Sequence, residues 1–261
     1  TNISSISASR ILANNRASLE KAMERLASGK RINSAADDAA GMAVAAKLRQ
    51  DVRSLDQAVR NTNDAISMLN TFDGGAAEIE SILVRMRELA VQASNGTYTA
   101  DDVGQASSEY NALVTEIDRI AEATRFNRLT LSDQTYTFFV GAENSTDIEA
   151  NEVEVTYGDI SATGLSVAED DIEDQDAAIT ANSTIEDALN TLATSRADVG
   201  ALINRLGHTA SNLMSVSQRT KEALSGVEDA DYASESAALA RGMVLAQAGT
   251  AMLAQANQSP Q

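Results

Sequence analysis

Apolar residues recur along this sequence in alternating steps of four and three. One series runs from Leu48 to Leu69, a second from Ile79 to Ala93 and a third from Ile185 to Leu213. Such steps place side chains on one narrow face of a helix, which is the pattern of a coiled-coil seam. The only proline is Pro260, so no interior proline interrupts a helix. The sequence therefore predicts a mainly α fold of long helices that pack along thin stripes.

Local signals predict where these helices begin and end. The pair Gly74-Gly75 predicts a break between the first two series. Ser183 and Glu186 have capping-box spacing ahead of the third series. The turn residues 94–97 predict the end of the second helix, and we expect Thr99 to cap the next one.

The middle of the chain has a different pattern. The segments TYTFFVG (135–141) and EVEVTYGDI (152–160) are rich in β-branched and aromatic residues, and they predict a small β-hairpin insert. Residues 132–180 hold 13 acidic residues and no Lys or Arg, and we expect the acidic tract after Leu165 to form a surface loop. By contrast, residues 1–50 carry a net charge of +4.

The composition excludes several classes of function. Cysteine is absent, which removes disulfides, thiolate catalysis and Cys-based metal sites. The net charge of −18 argues against nucleic acid as a partner. No uninterrupted apolar run approaches 18 residues, and the start TNISSISASR has no signal-peptide-like run. We therefore expect a protein that does not insert into a membrane, and any export would use a route without a cleaved signal peptide.

Catalytic chemistry has few candidate residues. His208 is the only histidine and lies in a helical pattern, and no Gly-rich phosphate loop is present. The acids Glu169-Asp170-Asp171 lack the alternating spacing of a calcium loop. We expect no enzyme activity, no cofactor and no metal site.

The two ends of the chain form a pair of weaker helices. Their stripes alternate leucine with small or polar residues, and small residues bury little area. We expect these ends to order on association. The residues expected to pack there are Leu12, Leu19, Leu26, Leu239, Ala246 and Leu253.

Four strings closely resemble the bacterial flagellins. They are RINSAADDAAGMAVAAKL (31–48), VRMRELAVQASNGT (84–97), RFNRLTL (125–131) and AQAGTAMLAQANQSPQ (246–261). The resemblance covers residues 1–131 and 185–261. Flagellins usually have a small residue where this chain has Arg128, in a predicted turn. The chain looks trimmed at both ends by comparison with the family.

The resemblance implies a fold and a function. Residues 1–43 and 220–261 would form an inner helical core domain. Residues 44–219 would form a rod-like helical bundle with a β-hairpin region at about 132–182. The chain would be a short flagellin without large outer domains, self-assembling into the extracellular flagellar filament for swimming. The alternative within the same system is a hook-filament junction protein, and the alternative in another class is a soluble helical binding module.

The resemblance also implies partners. These are further copies of the chain, an export chaperone on the C-terminal helix, and the filament cap and hook-associated proteins. Flagellins recognised by Toll-like receptor 5 use a patch that would include Arg85, Leu89 and Glu109 here. Leu89 also lies on an apolar stripe, so core packing is its alternative role.

Overall fold

The computed structural model describes residues 3–141, 151–168 and 170–258, and this part of the chain is mainly helical. Its helices are α1 (Ile3–Ser28), α2 (Ala39–Ala93), α3 (Ala100–Ala123), α4 (Gln175–Glu228) and α5 (Tyr232–Gln258). Its short strands are β1 (Arg125–Phe126), β2 (Leu129–Thr130), β3 (Thr135–Phe139) and β4 (Glu152–Thr156). The predicted fold class, long helices from both ends of the chain with a small β insert between them, is confirmed.

The chain divides into two compact units. Unit 1 combines the segment up to Arg53 with the segment from Val216 onward. Unit 2 spans Ser54–Ser215. The domain limits implied by the resemblance, 1–43 with 220–261 and 44–219, stay a prediction.

Helix α2 continues through Gly74 and Gly75, so the predicted break is wrong. The buried series carries on across the pair, with Phe72, Ala76 and Ile79 fully buried. A glycine costs a helix about 1 kcal/mol relative to alanine. Burying one large apolar side chain contributes roughly 1.5–3 kcal/mol, so packing outweighs the local preference. Gly75 has a steric role, because a Cβ there would overlap the side-chain oxygen of Thr124.

The start of α4 also differs from the prediction. The helix begins at Gln175, so Ser183 lies inside it and caps nothing. The carboxylate of Asp174 accepts a hydrogen bond of 2.7 Å from the amide of Ala177 and caps the helix instead. At α3, however, Thr99 forms the expected cap. Its hydroxyl accepts from the amide of Asp102, whose carboxylate accepts from the amide of Thr99.

The β segments form two antiparallel pairs. Strand β3 pairs with β4, with Tyr136 opposite Val155, which confirms the predicted pairing; the connection at 142–150 lies outside the described residues. Strands β1 and β2 are joined by Asn127 and Arg128, which have φ values of 48° and 69°. Two successive positive φ values are typical of a tight hairpin turn. Arg128 therefore does lie in a turn.

The core of unit 2 has an aromatic centre. Phe72 of α2 and Tyr157, just after β4, are both buried, and their ring centroids are 5.1 Å apart. The acidic tract forms a loop in which Glu173 and Asp174 are exposed, as expected, but Val167 and Ile172 within it are fully buried. These two side chains belong to the core of unit 2 and supply apolar area between the acids.

Candidate interaction surface

Helices α1 and α5 of unit 1 pair in antiparallel orientation. Asn15 contacts Gly242, and Arg25, ten residues further along α1, contacts Glu235. The side-chain amide of Asn15 donates to the carbonyl oxygen of Gly242 at 3.0 Å. The guanidinium of Arg25 lies 2.8 Å from the carboxylate of Glu235. Both contacts join segments that are more than 200 residues apart in the chain.

The seam between these helices is narrow and uses small residues. Leu12 is buried and Leu19 is half-buried on α1. They lie over Gly249 and Gly242, where an added Cβ would come within 3.1 Å and 2.9 Å of their Cδ1 atoms. Glycine at these positions therefore allows close approach of the two helices. The other residues predicted for this seam, Leu26, Leu239, Ala246 and Leu253, are half-buried in the single chain.

The remaining faces of α1 and α5 expose large apolar side chains. Ile3 is 78% exposed, and Val244 and Met252 are 67% and 66% exposed. Ile6, Ile11, Met243 and Leu245 on the same two helices are also exposed. Monomeric soluble proteins rarely expose large contiguous apolar areas, and those that occur mark interaction sites. We call these seven side chains the apolar face.

A set of polar contacts joins the segment after α1 to the connection between α4 and α5. The amide of Arg31 donates to the carbonyl oxygen of Glu228 at 2.7 Å, and the amide of Ala230 donates to that of Gly29 at 2.9 Å. The carboxylate of Glu228 is buried and pairs with the ammonium group of Lys30. Gly29 has a φ of 71°, a conformation that favours glycine. These contacts hold the ends of α1 and α4 at the start of α5.

In unit 2 the structure brings Arg85 and Glu109 together. A guanidinium nitrogen of Arg85 lies 2.8 Å from the Glu109 carboxylate, and another lies 2.9 Å from Glu88. The hydrogen bond to Glu109 is the main reason that the pKa of Arg85 is raised. Leu89 is only 2% exposed and belongs to the core of unit 2. Of the three residues expected in the receptor patch, Arg85 and Glu109 are accessible in the single chain.

The remaining chemical candidates do not converge on one site. His208 is exposed on α4. Within the described ranges, no group of three or more His, Asp or Glu side chains is arranged to hold a metal ion. Asp171 accepts a hydrogen bond of 2.6 Å from Ser107, which is a structural contact. Glu169, the first acid of its run, lies outside the described residues.

Sequence reasoning found the stripe on α1 and α5 but missed the contacts of its polar residues. The pair Arg25–Glu235 and the backbone contacts of residues 29–31 with 228–230 join distant segments. Periodicity reports which face of a helix is apolar, but it does not identify the partner. A basic residue and an acidic residue near the two ends of the chain were the only available signal.

Comparison with known proteins agrees with this architecture. Residues 1–137 match the family model of the bacterial flagellin N-terminal helical region, and residues 182–261 match that of the C-terminal helical region. A flagellin of Halalkalibacterium halodurans is 44% identical over 93% of this chain and 89% of its own length. The flagellar filament 33 kDa core protein of Treponema phagedenis is 36% identical over all of this chain and 96% of its own.

A solved structure is similar as well. The crystal structure of Bacillus cereus flagellin matches with a TM-score of 0.52 at 31% identity, over 59% of this chain and 88% of that one. The family is one of structural proteins of the flagellar filament, and the family models do not favour the hook-filament junction alternative. The two family models and the similar relatives together show that this chain belongs to the bacterial flagellin family.

Proposed function

We propose that this chain polymerises through the apolar face of α1 and α5 into the filament of a bacterial flagellum, outside the cell, where the filament serves swimming motility. The observation that carries the proposal is the exposure of that face. Ile3, Val244 and Met252 are each about two-thirds or more exposed although α1 and α5 are already paired. The pairing of the two helices therefore leaves most of their apolar area available for other copies.

The thin seam supports assembly over independent folding. Its leucines lie against glycines, so each contact buries little area compared with a leucine in a full core. Ordering a residue costs about 1–2 kcal/mol of backbone entropy. Burial of the apolar face by neighbouring copies adds the stabilising free energy that the seam between α1 and α5 does not supply alone. Contacts between unlike surfaces that do not close into a ring produce a helical filament.

Membrane insertion is the main competing use of an apolar helix. Residues Tyr232–Ala256 of α5 are long and apolar enough to cross a membrane, since an 18-residue stretch within them has a mean hydropathy of 1.2 and only 6% of that stretch is buried. Two charged residues, Glu235 and Arg241, lie within Tyr232–Ala256, and Glu235 is paired with Arg25 of α1. Insertion would break that pair or carry the charges of α1 into lipid, which is costly. We therefore favour self-association over a membrane.

Electron microscopy after seeding or salting out tests the proposal. We expect long helical filaments from the full-length protein. Val244→Asp places a charge on the apolar face and is expected to abolish filaments while the circular dichroism spectrum of the monomer is unchanged. Gln247→Asp adds the same charge at an exposed polar position of α5 and should still assemble. A protein that stays monomeric under every seeding condition would contradict the proposal and favour a soluble binding module.

The same face suggests how the subunit is handled before assembly. An export chaperone that covers α5 would hide Val244, Leu245 and Met252 from premature association. Filament cap and hook-associated proteins with related helices would occupy the same face at the two ends of the polymer. Both proposals require that α5 be accessible in the single chain, and it is.

We also propose recognition of the depolymerised subunit by Toll-like receptor 5 at the exposed pair Arg85–Glu109, with Leu89 supporting the patch from the core. Arg85→Ala is expected to lower the signalling potency of depolymerised protein. The matched control is Arg119→Ala, which removes an exposed arginine paired with Glu116 on α3. Equal potency of the Arg85 variant and the unmodified chain would contradict the proposal.

A further inference from the structure

Asn95 and Gly96 lie in the turn that joins α2 to α3 in unit 2. They form the only Asn-Gly pair in the sequence, and both residues are exposed. Asparagine followed by glycine is the pairing in which the side-chain carboxamide is least shielded from the next backbone nitrogen, since glycine has no Cβ. The turn therefore combines an exposed electrophile with an unhindered nucleophile.

The surroundings of Gly96 leave its amide free to react. Within the part of the chain that the structure describes, this amide donates no hydrogen bond. A Cβ built at Gly96 would meet only the side-chain oxygen of Gln175, at 3.9 Å. Apart from its two chain neighbours, no described residue packs closely against the position where a Gly96 side chain would lie.

The Asn95 side chain is held over the turn by one hydrogen bond. The backbone amide of Thr97 donates to Oδ1 of Asn95 at 3.3 Å. This bond turns the carboxamide toward the backbone of the following residues. It also places a donor on the oxygen that gains negative charge when the carboxamide carbon is attacked, which is the arrangement that stabilises a tetrahedral intermediate.

Two other asparagines followed by a small residue lack this freedom. In Asn33-Ser34 the amide of Ser34 donates to the Asp37 carboxylate at 3.0 Å. In Asn182-Ser183 both residues lie inside α4, where backbone amides donate to the preceding turn. At both sites the attacking nitrogen is already engaged.

We propose that Asn95 is a site of spontaneous, enzyme-independent deamidation. The Gly96 nitrogen bonds to the Asn95 side-chain carbon, its proton is lost to solvent, and the bond to the side-chain nitrogen breaks. Ammonia leaves with a proton from water, and the product is a five-membered succinimide. One water then opens the ring at either carbonyl, giving aspartate or isoaspartate. The net change consumes one water and releases one ammonia, with no redox step.

Either product alters the turn. A new carboxylate appears just beyond the C-terminus of α2, where the helix dipole disfavours negative charge. Isoaspartate also inserts a carbon into the backbone between Ser94 and Thr99. The carbonyl of Ser94 accepts a hydrogen bond of 2.9 Å from Gln175, and Thr99 caps α3. A longer backbone at this point shifts one or both contacts.

Peptide mass spectrometry of the purified full-length protein, aged at neutral and mildly alkaline pH, tests the inference. Replacement of the amide by a carboxyl group changes the mass, and enzymatic methylation identifies isoaspartate. We expect Asn95 to convert faster than Asn33 and Asn182, and faster still at alkaline pH. A rate at Asn95 equal to or below that at the other two would overturn the inference.

Gly96→Ala is the decisive variant. Its Cβ fits, because the nearest atom is 3.9 Å away and the Gly96 φ lies outside the left-handed region. We expect Asn95 in this variant to deamidate at least about tenfold more slowly, a change of about 1.4 kcal/mol in the barrier. Gly104→Ala, at an open position of α3, controls for glycine replacement and should leave the rate unchanged. Equal rates at Asn95 in the two variants would also overturn the inference, and neither outcome bears on filament formation.

Discussion

The side-chain amide of Asn15 donates a hydrogen bond to the carbonyl oxygen of Gly242, 227 residues further along the chain. Asn15 occupies a stripe position between Leu12 and Leu19, where an apolar residue would bury more area. A polar residue at a seam position costs stability and specifies register. The bond therefore fixes which turn of α5 lies against which turn of α1.

Gly242→Val is expected to separate the two helices of the seam. A Cβ at this position already lies 2.9 Å from Leu19, and valine adds two further methyl groups. Overpacking of this kind costs about 1–3 kcal/mol. Thermal unfolding by far-UV circular dichroism should show loss of helix at lower temperature, and filament yield should fall. Gly226→Val lies in the same unit, at a position where an added Cβ meets no described side chain. This variant should lose neither thermal stability nor filament yield.

Gly75→Ala is expected to destabilise unit 2, whereas its neighbour Gly74→Ala is expected to stabilise it. The added methyl group at Gly75 would overlap the stiff, buried side chain of Thr124, at a cost of about 1–3 kcal/mol. Among the described residues, an added Cβ at Gly74 would meet no atom within 4 Å beyond its chain neighbours and the local helix backbone, so only the helix preference for alanine remains, about 1 kcal/mol. Urea unfolding of both variants measures the difference. Equal midpoints would contradict the packing at Thr124.

Tyr110→Phe is expected to raise the free energy of unfolding by about 1 kcal/mol, because the Tyr110 hydroxyl is buried without a hydrogen-bond partner among the described residues. Burial raises the pKa of Tyr110, and the nearby carboxylates of Asp170 and Asp171 raise it further. The folded state thus favours the neutral phenol.

That raised pKa predicts a loss of stability in alkali. The stability that this raised pKa contributes is fully present below the unfolded-state pKa of about 10. It decreases as the pH rises above that value. Unfolding midpoints measured across this range should fall less steeply for Tyr110→Phe than for the unmodified chain. Parallel pH profiles would show that the phenol at position 110 does not titrate as the structure indicates.

Asp159→Asn is expected to lower stability at neutral pH but not in acid. Burial raises the pKa of Asp159, but hydrogen bonds from Ser161 and Ser132 outweigh it, so the pKa lies below its usual value. A lowered pKa stabilises the fold at pH values above the unfolded-state pKa of about 4. This stabilisation is lost as the pH falls below that value. Urea unfolding at several pH values should therefore show the two proteins converging in acid. Asp64→Asn, at an exposed position of α2, provides the comparison.

The helices and their apolar faces could be predicted because they depend on local periodicity. The stripe from Leu48 to Leu69 lies within α2, and even Thr62 is buried there, its hydroxyl bonded to the carbonyl oxygen of Ala58. The sequence also identifies Arg196 as a charged residue within the apolar stripe from Ile185 to Leu213. Its partners Asp73 and Glu80 could not be predicted, because they lie more than 100 residues away.

Helix ends were harder to predict than helix faces. The spacing of Ser183 and Glu186 also occurs inside a helix, and only the hydrogen bond to Asp174 identifies the true start of α4. Gly74 and Gly75 were misread because a local preference of about 1 kcal/mol is small beside the burial of the neighbouring side chains. On α1 and α5 the seam residues followed from the pattern, but the orientation of the helices depends on Asn15 and its distant partner.

The pairing of α1 with α5 sets the order in which unit 1 can form during synthesis. Arg25 is made long before Glu235, its partner 210 residues later. At about 5–20 residues per second, a ribosome needs roughly 10–40 s to cover that distance. During this interval α1 is a helix without its partner, and isolated helices are marginal in water. A chain whose synthesis stops before α5 lacks the partner helix of α1. Such a truncated product therefore cannot form the α1–α5 pair of unit 1.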